Sequence, residues 1–139
     1  IIASKKAKWG LPEVTLGLIP GYGGTQRLVR VTGRAAARRV ALSGELFSAD
    51  DGLSFGVFTQ VVEPADLWAT TMKLAETLAA RAPLAVGWTK QAINHGHDLT
   101  MAEGLKFEAD HFGRVFETKD HLEGIQAFVE KRPPKFQGH

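Results

Sequence analysis

The stretch Leu11-Pro12-Glu13-Val14-Thr15-Leu16-Gly17-Leu18-Ile19-Pro20-Gly21-Tyr22-Gly23-Gly24-Thr25-Gln26-Arg27-Leu28 decides how the rest of the chain is read. Glu13 is its only acid, and no other residue charged at neutral pH lies between Trp9 and Gln26. A carboxyl group set among Trp, Leu, Val and Ile loses hydration, and desolvation disfavours its charged form, bringing such groups toward the range useful for proton transfer. The alternative is structural: an acid just after a proline can cap the turn that the proline begins. Composition leaves both readings open. Gly21-Tyr22-Gly23-Gly24 forms a turn that starts a helix and offers backbone N–H groups to a ligand. It is not a Walker loop, because no Gly-Lys-Ser/Thr follows. Gln26 occupies the place of the last glycine in the dinucleotide fingerprint.

Outward from this segment, residues 1–64 hold most of the glycines and the only strand candidates, while residues 65–132 read as helix after helix. Strands are predicted at residues 1–4 and 57–62, the second β-branched and aromatic between Gly56 and Pro64. Helices are predicted at residues 23–31 and 34–42, each stopped by a glycine, Gly33 and Gly44. Ser48 reads as an N-cap. From residue 65 a 3.6-residue period carries one helix up to Pro83 and another over residues 84–94. Thr100-Met101-Ala102-Glu103 is a capping box opening a third, with Met101, Leu105, Phe112 and Phe116 along its apolar side. A last helix spans residues 120–131. So much apolar helix surface predicts burial against partners.

The chain has 139 residues, 44% apolar and 23% charged, with scattered prolines and no long run of like charge, as expected of a globular protein. No cysteine is present, which removes disulfides, thiolate metal sites and a cysteine nucleophile, and fits a reducing compartment. No stretch is long and apolar enough to span a bilayer. The sequence opens on Ile1-Ile2-Ala3-Ser4, neither a signal nor a transit peptide, and looks like a chain entered in the middle. The net charge of +2 is far below what most nucleic-acid binders concentrate. Arg27, Arg30, Arg34, Arg38 and Arg39 still make a local basic cluster, readable as a solvated helix face or as an RNA surface. Lys131, Arg132 and Lys135 form a second. His95, His97 and the Glu108/His111 pair lack the further ligands a metal site needs, so no metal is expected.

The quoted segment closely resembles the second active-site segment of enoyl-CoA hydratases in the crotonase superfamily. Residues 42–58 resemble another stretch of that family, with Phe58 near a usual Val, and residues 128–136 resemble its C-terminal ending. The resemblance implies an α/β crotonase-like spiral, the ClpP/crotonase fold. Residues 1–64 would be the C-terminal part of the core carrying the active-site segment, and residues 65–139 a helical oligomerisation region. It implies hydration of a 2-trans-enoyl-CoA to a 3-hydroxyacyl-CoA, with coenzyme A entering as part of the substrate and no separate cofactor. Homotrimers or hexamers and a cytoplasmic location, or the mitochondrial matrix in a eukaryote, are further implications. Carried over by residue, Glu13 becomes an acid/base delivering a proton at C2, and the backbone of Gly21 helps to hold the reacting water. Leu11, Pro12, Leu16 and Tyr22 shape the acyl pocket, and Phe128, Lys131, Lys135 and Phe136 are candidate CoA contacts. The family's oxyanion-hole segments and its other glutamate have no counterpart in these residues. The chain therefore resembles a C-terminal half, expected to be inactive alone. An isomerase of the same family is the alternative enzyme, and RNA binding through the Arg27 to Arg39 cluster is the alternative of another class.

Overall fold

The computed structural model describes residues 1–139, which divide into two compact units, Ile1–Lys73 and Leu74–His139. In the first unit, strand β1 (Ile2–Ser4) pairs in parallel with β4 (Gln60–Val62), Ala3 lying opposite Val61. The ladder is lengthened by Thr59 N–H to Ile1 O at 2.8 Å and Lys5 N–H to Val62 O at 2.8 Å. A parallel pair requires a long crossover, and here it is supplied by helices α1 (Gly24–Ser43) and α2 (Ala49–Ser54). A second, antiparallel pair joins β2 (Lys8–Trp9) to β3 (Phe47–Ser48).

Several sequence signals act where they stand. Gly33, at φ 75° and ψ 170°, breaks α1 into two helical segments, as the stop signals required. Ser48 caps α2 in a full capping box: its Oγ accepts the Asp51 N–H at 3.1 Å, and the Asp51 carboxylate accepts the Ser48 N–H at 2.9 Å. The Ser48 hydroxyl, which donates to the Asp51 carboxylate, and then the Ser48 N–H hold that carboxyl below the usual carboxylate range.

The strand predicted at residues 57–62 is shorter than expected. Val57 and Phe58 both donate their N–H to Gly52 O, closing the end of α2, so pairing begins only at Gln60. Phe58 is thereby delivered to an aromatic cluster. Trp9 packs against Phe47, Phe55 and Phe58 with ring centroids 5.7, 6.1 and 5.9 Å away. The Trp9 indole N–H donates to Ser48 O at 2.9 Å, satisfying the polar edge of a ring that is otherwise apolar. The Arg39 guanidinium covers the Phe47 ring from 5.4 Å.

In the second unit α4 (Pro83–Gly96) packs on α5 (Met101–Val115), followed by α6 (Lys119–Glu130). Helix α3 (Leu67–Ala79), entered through a 3-10 turn at Pro64–Asp66, crosses the boundary between the units. Thr100 opens α5 with the expected capping box, and this hydroxyl and its backbone N–H hold the Glu103 carboxyl below the usual range. The inward face of α5 is not its most apolar stripe. Phe107 stacks on His111 at 4.2 Å, and His111 reaches Gln91 of α4, while Met101, Leu105, Phe112 and Phe116 remain exposed. No helix is long and apolar enough to cross a membrane.

Gly52 is a point of close packing in the first unit. A Cβ there would sit 2.5 Å from the Phe58 ring and 2.8 Å from Trp9 Nε1. Gly52→Ala should therefore destabilise the protein by about 1–3 kcal/mol, the usual cost of overpacking. Urea unfolding followed by tryptophan fluorescence measures it, and unchanged stability would mean the cluster yields freely.

Candidate functional site

The segment of Glu13 begins directly after the anchored Trp9. Pro12 sits at the first position of a 3-10 turn, Pro12–Leu16, where its missing N–H costs nothing. Thr15 Oγ1 donates to Pro12 O at 2.7 Å. The turn ends at Gly17 in the left-handed region, φ 73°. It is backed by the end of α1: a Cβ on Gly44 would lie 2.7 Å from Thr15 Cγ2 and 3.1 Å from Val14 Cγ2, and Gly44 itself has φ 64°. Both the close approach and the backbone angle require glycine.

This packing leaves Glu13 half-buried, with Oε2 closed off from solvent and without a hydrogen-bond partner. That oxygen caps nothing, and the 3-10 turn has no side-chain cap. A buried carboxylate oxygen without a donor is costly and rare.

The other end of the segment folds back on the same turn. A Cβ on Gly24 would lie 3.2 Å from Pro20 Cβ and 3.5 Å from Leu11 Cδ2, so Leu11 and the first residue of α1 are in contact. Gly24 N–H donates to Gly21 O at 2.8 Å, while the position of a Gly21 Cβ is open for 4 Å around. Tyr22 is 98% exposed and Leu16 76% exposed, and Pro12 is exposed as well. Leu11, Pro12, Glu13, Leu16, Gly21 and Tyr22 all belong to the first unit. Phe128, Lys131, Lys135 and Phe136 belong to the second, and each group is described within its own unit.

In the second unit Phe128 stands 86% exposed on α6. Lys131 ends the helix in the left-handed region, φ 54°. Phe136 lies on α6 at Gly124, where a Cβ would come within 3.4 Å of the ring. Two acids of α6 hold this tail. Asp120, 3% exposed, accepts the Gln137 N–H at 2.7 Å and the Gly138 N–H at 2.8 Å. Glu123 accepts the Lys135 N–H at 2.7 Å and takes the Arg132 guanidinium bidentately at 2.6 and 2.9 Å. The residues Lys119, Asp120, Glu123, Arg132, Lys135, Gln137 and His139 line an open groove of about 510 Å³. The two tail-holding acids were not singled out from the sequence. The available signal was Thr118, whose Oγ1 accepts the His121 N–H at 3.1 Å and so sets Asp120 in the first turn of α6.

Much of the arginine cluster is engaged inside the chain. Arg27 donates to Tyr22 O, Arg30 to Gln26 O, and Arg39 covers two phenylalanine rings. No group of three or more His, Asp or Glu side chains converges on a point.

The family model for enoyl-CoA hydratase/isomerase matches residues 1–139, and the chain belongs to that family. A short-chain-enoyl-CoA hydratase of Clostridioides difficile is 46% identical over 127 residues, 91% of this chain and 82% of its own length. A short-chain-enoyl-CoA hydratase of Clostridium acetobutylicum is 42% identical over 131 residues, 94% of this chain and 50% of its own length. The crystal structure of an enoyl-CoA hydratase from Bacillus anthracis superposes with a TM-score of 0.97 at 40% identity, over 99% of this chain and 54% of that one. The fold is thus crotonase-like, and the chain spans about half the length of most of these relatives.

The tail clasp carries its own pH dependence. The Arg132 hydrogen bonds, then the Lys135 N–H, lower the Glu123 carboxyl from the ordinary 4.5 to about 2. A depressed folded value means that the stabilisation is full above about pH 4.5 and is lost as the pH falls toward about 2. The Lys135 amide resonance of the folded protein should therefore hold its position until the pH approaches about 2, where Glu123 takes up its proton, and shift there. Glu123→Gln should release the Lys135 end of the tail even at pH 7, and an unmoved Lys135 amide in that variant would refute the clasp.

Proposed function

We propose that residues 1–139 form the C-terminal half of an enoyl-CoA hydratase and supply one of its two catalytic carboxyl groups. One observation carries this reading: Glu13 Oε2 is buried and unpaired on a turn braced by Gly44 and Leu11. The relatives' names favour short-chain 2-trans-enoyl-CoA thioesters as substrates.

Hydration at the double bond needs water activated at C3, a proton delivered to C2, and donors for the thioester oxygen as it gains enolate charge. Glu13 takes the C2 proton transfer. The backbone at Gly21, open on its Cβ side, helps to hold the water. The thioester donors and the second acid come from residues outside 1–139. Leu11, Pro12, Leu16 and Tyr22 flank the acyl group. Phe128, Lys131, Lys135 and Phe136 are the candidates to meet a CoA moiety across a subunit boundary, the CoA entering with the substrate, and no further cofactor takes part. The exposed Phe112 and Phe116 lie in the surface through which trimers or hexamers assemble.

In the complete protein Glu13→Gln should lower kcat for crotonyl-CoA hydration by about 10²–10⁴-fold, the usual worth of a positioned acid or base. KM should barely move, and a loss confined to KM with kcat intact would make Glu13 structural. Phe112→Asp should shift the sedimentation coefficient of the complete protein toward monomer, and an unchanged assembly would remove this face from the interface.

A further inference from the structure

Tyr22 occupies a conformation that its own side chain does not secure. Its φ is 54°, a left-handed value uncommon for a residue with a Cβ, and the following Gly23 has φ 78°. The ring is 98% exposed, so packing does not hold it there. Such a conformation persists only where the surroundings enforce it. Around it, Gly21 O accepts the Gly24 N–H at 2.8 Å, and Gly23 O accepts the Gln26 and Arg27 N–H groups at 3.2 and 2.8 Å. The Tyr22 carbonyl has a single donor, the Arg27 guanidinium, with Nη2 at 2.7 Å. To reach it the guanidinium lies along Gly23, its Cζ 3.7 Å from where a Cβ would be.

We propose that Arg27 is a positioning residue for the turn at residues 21–23, acting on the reaction through the Tyr22 peptide. The inference rests on the roles given above to Glu13 and Gly21. In a trans peptide the C=O and the next N–H point in opposite directions. A guanidinium that pins Tyr22 O therefore fixes the Gly23 N–H, just as the Gly21–Gly24 bond fixes the Tyr22 N–H. Neither N–H has an acceptor within the chain, and both follow directly on Gly21, whose Cβ side is open. A turn frozen in this way presents its donors to the water without rearranging during the reaction. A solvated or nucleic-acid-facing arginine would extend away from the backbone. Arg27 instead folds back across the turn, with a charge-assisted bond that a neutral donor would not match.

The test is crotonyl-CoA hydration by the complete protein, with Glu13→Gln measured alongside. Arg27→Met keeps the apolar stem and removes the donors. It should lower kcat by about ten- to a hundredfold, the scale of a small misplacement, with KM nearly unchanged. Arg27→Lys, still able to donate one bond, should restore most of the loss. Asparagine tolerates the left-handed region, so in a Tyr22→Asn background the effect of Arg27→Met should shrink to about threefold or less. An unchanged kcat in Arg27→Met, a loss lying wholly in KM, or an equal loss in the Tyr22→Asn background would each overturn the proposal. So would unfolding of Arg27→Met that Tyr22→Asn does not repair, since Arg27 would then be structural. Loss of kcat in Glu13→Gln but not in Arg27→Met discards this inference alone. Full kcat in Glu13→Gln discards the site reading and this inference with it.

Discussion

The indole of Trp9 is the point on which the first unit depends. Its N–H is bound to Ser48 O, and its ring is enclosed by Phe47, Phe55 and Phe58. One side chain thus ties together β2, β3, α2 and the loop that leads into β4. Arg39 adds the second half of α1 by covering Phe47 and Phe55. The backbone leaves this cluster at Gly10 and enters the 3-10 turn two residues later. Glu13 is therefore carried on a short lever from a rigid centre. The catalytic role proposed for Glu13 needs that arrangement, because a misplacement of an ångström is enough to cost much of the rate.

Against this background of closed polar contacts Glu13 is the exception. Asp51 and Glu103 each accept two bonds from the residue they help to cap, and Asp120 and Glu123 accept the backbone of the tail. Glu13 Oε2 is the one buried side-chain oxygen or nitrogen without a partner. An unpaired buried oxygen among side chains that are otherwise satisfied is the kind of local exception that functional sites carry.

What the sequence disclosed follows from how local each signal is. The capping boxes at Ser48 and Thr100 involve residues three apart, and the break at Gly33 involves one residue, so all were legible. Strands β2 and β3 are two residues each, too short for a period, and exist because Trp9 and Phe47 meet across the fold. The strand at residues 57–62 was read too long because β-branched composition carries no information about Gly52, whose carbonyl draws Val57 and Phe58 into a turn. At the site, composition could isolate Glu13 but not choose between cap and acid. The tertiary contacts at Gly44 and Gly24 that surround its turn are equally invisible to composition. Arg27 read as one of five clustered cations, since nothing local says that its donors turn back toward Tyr22.

The chemistry of Glu13 is also bound to surface that these residues leave exposed. Apolar burial is sparse: Val40 is the only large side chain that is fully enclosed. Leu16, Leu18 and Ile19, close to Glu13 in the chain, are 76, 60 and 80% exposed. Contiguous apolar surface of this kind marks a place of contact. Whatever covers Leu16, Leu18 and Ile19 therefore does more than bury hydrocarbon. It also covers the 3-10 turn that carries both Leu16 and Glu13, so the proposed acid and the exposed apolar surface share one element.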